Sequence, residues 1–144
     1  MNLAYCQSKT ANSLFAVHLD KLAEPAGVRS FAAAPGSVLT PLLRDVPAQY
    51  QVEAGWIDEQ GNPSDWFVTA EQGAATFVWA ATSPQLDGKG GVYCEACDIA
   101  EPTVPGAPGS DVIGVDAHAI DPGAAAQLWA LSAELTGINA FTAA

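Results

Sequence analysis

Val28-Arg29-Ser30-Phe31-Ala32-Ala33-Ala34-Pro35-Gly36-Ser37-Val38-Leu39-Thr40 is the stretch on which the fold turns. From Val28 to Ala34 the run is almost continuously apolar. Unbroken apolar character, rather than alternation, suits a strand covered on both faces in a parallel sheet. Pro35 fixes the exit from that strand, and Gly36 lets the backbone come close to a ligand. The carboxyl end of such a strand is where open α/β sheets hold their ligands. The reading is therefore a strand over 28–34 that delivers a ligand-facing turn.

Upstream, the spacing predicts a helix from about Ala4 to Glu24, with Leu14, Phe15, Leu19 and Leu22 as its core-facing stripe. Pro25 and Gly27 end it. Its first turns carry Tyr5-Cys6-Gln7-Ser8-Lys9. Positions four apart share one helix face, so Tyr5 and Lys9 can converge. A phenol with a pKa of about 10 is a poor proton carrier at neutral pH, and a neighbouring cation favours its phenolate. The pair suits proton transfer to or from an alcohol or carbonyl oxygen. The same spacing also suits a plain surface helix bearing an aromatic and a charge. Positive charge is scarce, however, being confined to Lys9, Lys21, Arg29, Arg44 and Lys89.

Downstream, Pro41 to Val68 reads as irregular, with a short helix around Val46–Glu53 and the aromatics Tyr50, Trp56, Trp66 and Phe67. A helix over Ala70–Thr82 is announced by Thr69 at its N-cap and Gln72 three residues on, a capping box. Ser83-Pro84 stops it. Gly88-Lys89-Gly90-Gly91 is a turn and Val92–Glu95 a short strand. Glu101–Ser110, with Pro102, Pro105, Gly106, Pro108 and Gly109, reads as a loop. A last helix opens at Asp121 and Pro122 and closes near Thr136, with Gly137 as its stop. Trp79 and Trp129, within helices, are expected in the core. Cys94-Glu95-Ala96-Cys97 stands alone: a zinc site needs about four ligands, and His18 and His118 are isolated. No metal is expected, and the two thiols read as free on a strand-to-loop turn.

The chain has 144 residues, 49% of them hydrophobic, which is enough for one packed domain. Its 16 acidic and 5 basic residues give a net charge of -11. Such a surface repels phosphate backbones, so no nucleic-acid partner is expected. No apolar run reaches the roughly 18 residues that a membrane span needs. The start lacks a basic region leading into an apolar stretch, and Cys6, Cys94 and Cys97 suit a reducing compartment; a cytoplasmic protein is the expectation.

Helix, strand, then Pro35-Gly36-Ser37-Val38-Leu39-Thr40 is an order that resembles the short-chain dehydrogenase/reductase family. Tyr5-Cys6-Gln7-Ser8-Lys9-Thr10-Ala11-Asn12, Thr69-Ala70-Glu71-Gln72-Gly73-Ala74 and Gly91-Val92-Tyr93-Cys94 are similar to the branch holding retinol dehydrogenases, the WW-domain oxidoreductase and light-dependent protochlorophyllide reductase. The resemblance runs from Tyr5 to about Ile99, and more loosely to Gly137. It implies an α/β fold: the C-terminal part of a Rossmann-type doubly wound parallel sheet, without the N-terminal nucleotide-binding half. Residues 1–144 would then be one partial domain, with the catalytic helix, the sixth and seventh strands, a substrate-covering segment and the C-terminal helix. No Gly-x-Gly-x-x-Gly opens a helix, and Gly88–Gly91 lies in the wrong order for one. A truncated chain, inactive by itself, is expected.

The resemblance further implies an NAD(P)-dependent oxidoreductase that interconverts an alcohol and a carbonyl or reduces a double bond. NADP is favoured over NAD. Tyr5 would be the acid/base. Lys9 would favour the Tyr5 phenolate and hold the nicotinamide ribose. Pro35, Gly36, Val38 and Thr40 would line the nicotinamide, with Ala34 where many relatives carry His. Ser8 and Asn12 lie near the Tyr5 face, where a helix-surface role suits them equally. Tyr50, Trp56, Trp66 and Phe67 would wall a pocket for a small apolar substrate, or serve ordinary packing. The competing expectation is a non-catalytic remnant that acts as an interaction domain.

Overall fold

Leu3–Ala23 form the first helix, α1, in a computed structural model that describes residues 3–104, 106 and 113–141. A 3-10 turn, Glu24–Ala26, closes α1, and Gly27 takes the left-handed conformation there (φ 74°) while its N–H donates to the Glu24 carbonyl. Three short strands and three further helices follow: β1 (Phe31–Ala33), α2 (Ala48–Glu53), α3 (Ala70–Thr82), β2 (Val92–Glu95), β3 (Asp98–Ile99) and α4 (Pro122–Thr136). Strand order is β1-β2-β3. β1 and β2 run parallel, with Phe31 opposite Val92 and Ala33 opposite Cys94. β2 and β3 are antiparallel, so the sheet is mixed.

Local chemistry sets the helix ends where it is strongest. Thr69 Oγ1 accepts from the Gln72 N–H at 3.2 Å, and Gln72 Oε1 accepts from the Thr69 N–H at 2.8 Å. This reciprocal cap contributes about 1 kcal/mol and holds the start of α3 at Ala70. Asp121 caps α4 one way only, accepting from the Ala124 N–H at 2.6 Å, and Gly137 ends it at φ 70°.

Several expectations need correction. The strand is Phe31–Ala33 rather than Val28–Ala34, and Val28 is 53% exposed. No β1 residue is fully buried. The reason is that β1 is the outermost strand, so only one flank carries a neighbour among the described residues. Phe15 is 49% exposed and stacks on Trp129 at 5.2 Å instead of joining Leu14 in the core. The buried α1 positions are Ser13, Leu14, Ala16, Asp20 and Ala23, of which Ser13, Ala16 and Ala23 are small; α1 packs on α4 and β1. Leu19, Leu22, Trp79 and Trp129 are only half-buried. The short helix starts at Ala48 rather than Val46, and the turn after β2 leads into a further strand, β3, rather than into a loop. Of the loop expected over Glu101–Ser110, Pro105 and 107–110 lie outside the described residues.

One buried ion pair ties α1 to the entry of β1. Asp20, 7% exposed, accepts from Arg29 Nε at 2.9 Å and Nη2 at 2.8 Å, and also from the Ser30 N–H at 2.9 Å. The Arg29 bonds, and secondarily the Ser30 N–H, hold the Asp20 carboxyl below the ordinary carboxylate range despite its burial. Gly90 covers the pair: a Cβ there would fall 1.9 Å from Asp20 Oδ1. The clamp therefore fixes how the Tyr5-bearing helix sits on the strand that feeds the Pro35-Gly36 turn.

Candidate active site

The chain leaves β1 and immediately turns at Gly36 (φ 75°), a left-handed backbone that favours glycine. Beyond it, Val38 forms a parallel bridge with Val68, and the Val68 N–H donates to the Ser37 carbonyl at 2.9 Å. Because Val68 bonds to the residue before Val38, the N–H and C=O of Val38 itself face away from Val68. Thr40 Oγ1 accepts from the Leu42 N–H at 3.4 Å and caps the 3-10 turn Pro41–Leu43. On the opposite side, α3 passes so close that a Cβ on Gly73 would lie 2.6 Å from Val38 Cγ2.

Between this turn, α3 and the start of α1 lies an open cleft of roughly 640 Å3. Tyr5, Pro35, Gly36, Val38, Thr40, Trp56, Trp66 and Phe67 all line it. Leu42, Leu43, Ala70, Ala74 and Phe77 complete an apolar wall, and the side-chain hydroxyls of Tyr5, Ser37 and Thr40 are its polar points. No charged side chain lines it among the described residues. In a chain of net charge -11 that exclusion is informative, since carboxylates cover the surface elsewhere. Trp66 and Phe67 stack at 4.1 Å, giving a rigid aromatic flank.

Two expected residues stand outside this lining. Lys9 does not reach the cleft wall; its Nζ lies 5.3 Å from the Tyr5 ring centroid, over the ring face. That is cation–π distance, and it places a positive charge on the phenol from behind. Tyr50 is exposed and meets Trp56 edge-on at 5.8 Å, so it buttresses a cleft residue without lining the cleft. Ser8 is turned back on its own helix, with Oγ donating to the Tyr5 carbonyl at 2.7 Å. Tyr5 itself is 49% exposed, which leaves its hydroxyl accessible.

The cysteine motif is the tip of a hairpin. Ala96 and Cys97 both have positive φ (49° and 59°), the conformation of a tight two-residue β-turn usually built from Asn-Gly. The Cys97 N–H donates to Thr76 Oγ1 on α3 at 3.3 Å, which helps to hold the turn. Cys94 is 0% exposed in β2 while Cys97 is exposed. Burial, with Asp98 adding to it, pushes the Cys94 thiol up. Among the described residues no group of His, Cys, Asp or Glu is arranged to hold a metal.

Sequence reasoning missed Gly73, Ser37 and Phe77 as cleft residues. For Gly73 a signal was present: a glycine inside an otherwise good helix is costly and asks for a packing reason. Ser37 lies within the Pro35–Thr40 turn, and Phe77 falls two α3 turns after Ala70.

The chain is similar to a protein named "Probable oxidoreductase" from Streptomyces lividans, at 42% identity over 135 residues, covering 91% of this chain and 44% of that protein. It is 32% identical to the short-chain dehydrogenase/reductase prx1 of Penicillium roqueforti, with 94% of this chain and 38% of the relative covered. It is 39% identical to the polyprenol dehydrogenase of Mus musculus over 69% of this chain and 29% of the relative. No protein-family profile matches the chain, and no solved structure does. The chain spans less than half the length of each of these relatives. Identity at this level, sustained along most of the chain and joined to the Tyr5 helix and the Pro35-Gly36 turn, shows that the chain belongs to the short-chain dehydrogenase/reductase family of oxidoreductases and corresponds to a C-terminal portion of its members.

Proposed function

We propose that this chain carries the proton-transfer and nicotinamide-facing part of an NAD(P)-dependent oxidoreductase that interconverts an alcohol and a carbonyl, or reduces a double bond. The observation that carries the reading is the gathering of Tyr5 and the Pro35–Thr40 turn on one uncharged cleft. The turn fits the flat nicotinamide end of a dinucleotide. Gly36 offers bare backbone, with nothing nearer than Val68 Cγ2 at 3.7 Å to the place of a Cβ. The Val38 amide and the Thr40 hydroxyl supply hydrogen-bonding groups for a carboxamide, and Pro35 a flat apolar contact. When bound, the nicotinamide supplies or accepts the hydride.

Tyr5 gives or takes the proton at the substrate oxygen. Lys9 sits over the Tyr5 ring face, and its four-carbon stem is long enough to swing toward a ribose hydroxyl. The substrate is a small, apolar alcohol or carbonyl compound: a charged one would meet no counter-charge in the cleft and would lose its hydration there. NADP is favoured over NAD on the resemblance of the branch. The chain is the C-terminal part of a Rossmann-type doubly wound sheet, working in the cytoplasm; no described helix is long and apolar enough to cross a membrane. These 144 residues taken by themselves are catalytically silent in this reading, because among the described residues one edge of β1 is unpaired and no glycine-rich turn opens a helix to hold a pyrophosphate.

The test joins the chain in frame behind the N-terminal part of the Streptomyces lividans relative and follows NADPH oxidation with a panel of apolar aldehydes and ketones. Turnover that vanishes in Tyr5→Phe supports the reading. Turnover that survives in that variant refutes the role of Tyr5. A properly folded hybrid that neither binds nor oxidises NADPH favours the second reading, a non-catalytic interaction domain that uses the bare edge of β1.

A further inference from the structure

Gly73 is buried in the middle of the first half of α3. Glycine there is disfavoured against alanine by helix propensity, so its place needs a cause. The cause is the turn that leaves β1. A Cβ at position 73 would come 2.6 Å from Val38 Cγ2, 3.3 Å from the Pro35 carbonyl oxygen and 3.6 Å from Pro35 Cβ. Val38 is β-branched and stiff about χ1, so it cannot simply rotate aside. Nor can the turn retreat freely, because the Ser37 carbonyl is bonded to the Val68 N–H. The Pro35–Val38 backbone is thus gripped between α3 and Val68, with a thickness set by the missing side chain.

We propose that Gly73 is a positioning residue of the cleft: its lack of a side chain seats Val38 and Pro35 against α3 and so fixes where the Val38 amide and the Gly36 backbone present themselves. The consequence for a nicotinamide rests on the function proposed above; the seating of the turn does not. Any side chain at 73 pushes the turn outward, and removal of the Val38 γ-carbons relieves the push.

The experiment is amide hydrogen exchange on the full chain, read at Val68, whose N–H reports the grip. In Gly73→Ala the Val68 amide should exchange about tenfold faster, the scale expected when overpacking weakens a local structure. Gly73→Ala combined with Val38→Ala should return it to within about twofold of the parent, because the one contact below 3 Å is gone and the Pro35 oxygen at 3.3 Å asks for only a small shift. A general helix defect would not be rescued from position 38. Unchanged exchange in Gly73→Ala, or no rescue in the double variant, overturns the proposal. If Gly73→Ala fails to fold, a double variant that folds supports it, and one that also fails overturns it. In the hybrid enzyme, rescued exchange with no NADPH turnover even in the parent would count against the proposed function and leave the role of Gly73 standing.

Discussion

Asp20→Ala is the perturbation that the structure prices best. The carboxylate accepts three hydrogen bonds, two of them from a guanidinium, and is 7% exposed. Its loss strands the Ser30 N–H and leaves Arg29, whose side chain is 26% exposed, with only Glu24 at 3.7 Å. A hydrogen bond to a charged group contributes about 1.5–3 kcal/mol, and breaking a fully buried pair costs about 3–5 kcal/mol. Since Arg29 keeps partial access to water, the expected loss is about 2–3 kcal/mol. Gly90→Ala should cost a similar amount by a different route, because its Cβ would sit on Asp20 Oδ1 and 2.5 Å from Arg29 Nη2. Urea unfolding followed by tryptophan fluorescence and circular dichroism measures both. The pH dependence follows from the depressed Asp20 carboxyl. Its contribution is fully present above the ordinary value of 3.8 and disappears as pH falls through the lower folded value, and Asp20→Ala should lack this acid limb. A loss below about 0.5 kcal/mol in Asp20→Ala would refute the reasoning, since that is the scale of an exposed pair.

Three other outcomes are expected. In the hybrid enzyme Tyr5→Phe should lower kcat by at least about a hundredfold while leaving the circular dichroism unchanged, because only an exposed hydroxyl is lost. Among Cys94 and Cys97, a thiol reagent at neutral pH should label Cys97 quickly and Cys94 only on unfolding. Cys97→Ser should be neutral, and elemental analysis of the parent should find no stoichiometric zinc, whereas Cys94→Ser should cost about 1–3 kcal/mol for its buried hydroxyl. Finally, titration calorimetry of the 144-residue chain with NADP should show no saturable binding; micromolar binding would show that the cofactor sits elsewhere than proposed.

Much of this fold is legible because its signals are local. Thr69 and Gln72 settle the start of α3 between themselves, and Asp121 and Gly137 do the same for α4, since capping involves residues within one turn of each other. Tyr5 and the Pro35–Thr40 turn are visible for a similar reason: each is a short pattern whose residue types imply a chemistry. The aromatics were harder. Trp56, Trp66 and Phe67 face the cleft while Tyr50 does not, and nothing in their spacing separates them, because Pro41–Val68 has no period to read. Lys9 shares the Tyr5 face as the helix repeat requires, yet its flexible stem lies over the ring rather than toward the cleft.

By itself, then, the sequence determined the helices and the identity of the acid/base candidate, both of which depend on neighbours along the chain. Tertiary structure alone decided which apolar residues are buried and which pairs meet. Phe15 and Val28 read as core, yet burial belongs to whatever packs opposite, and opposite Val28 there is nothing described. Asp20 with Arg29 beneath Gly90, and Gly73 against Val38, bring together residues far apart in sequence. Such contacts arise only when helix and strand are docked, because side-chain reach is a few ångströms in space and has no counterpart in residue number.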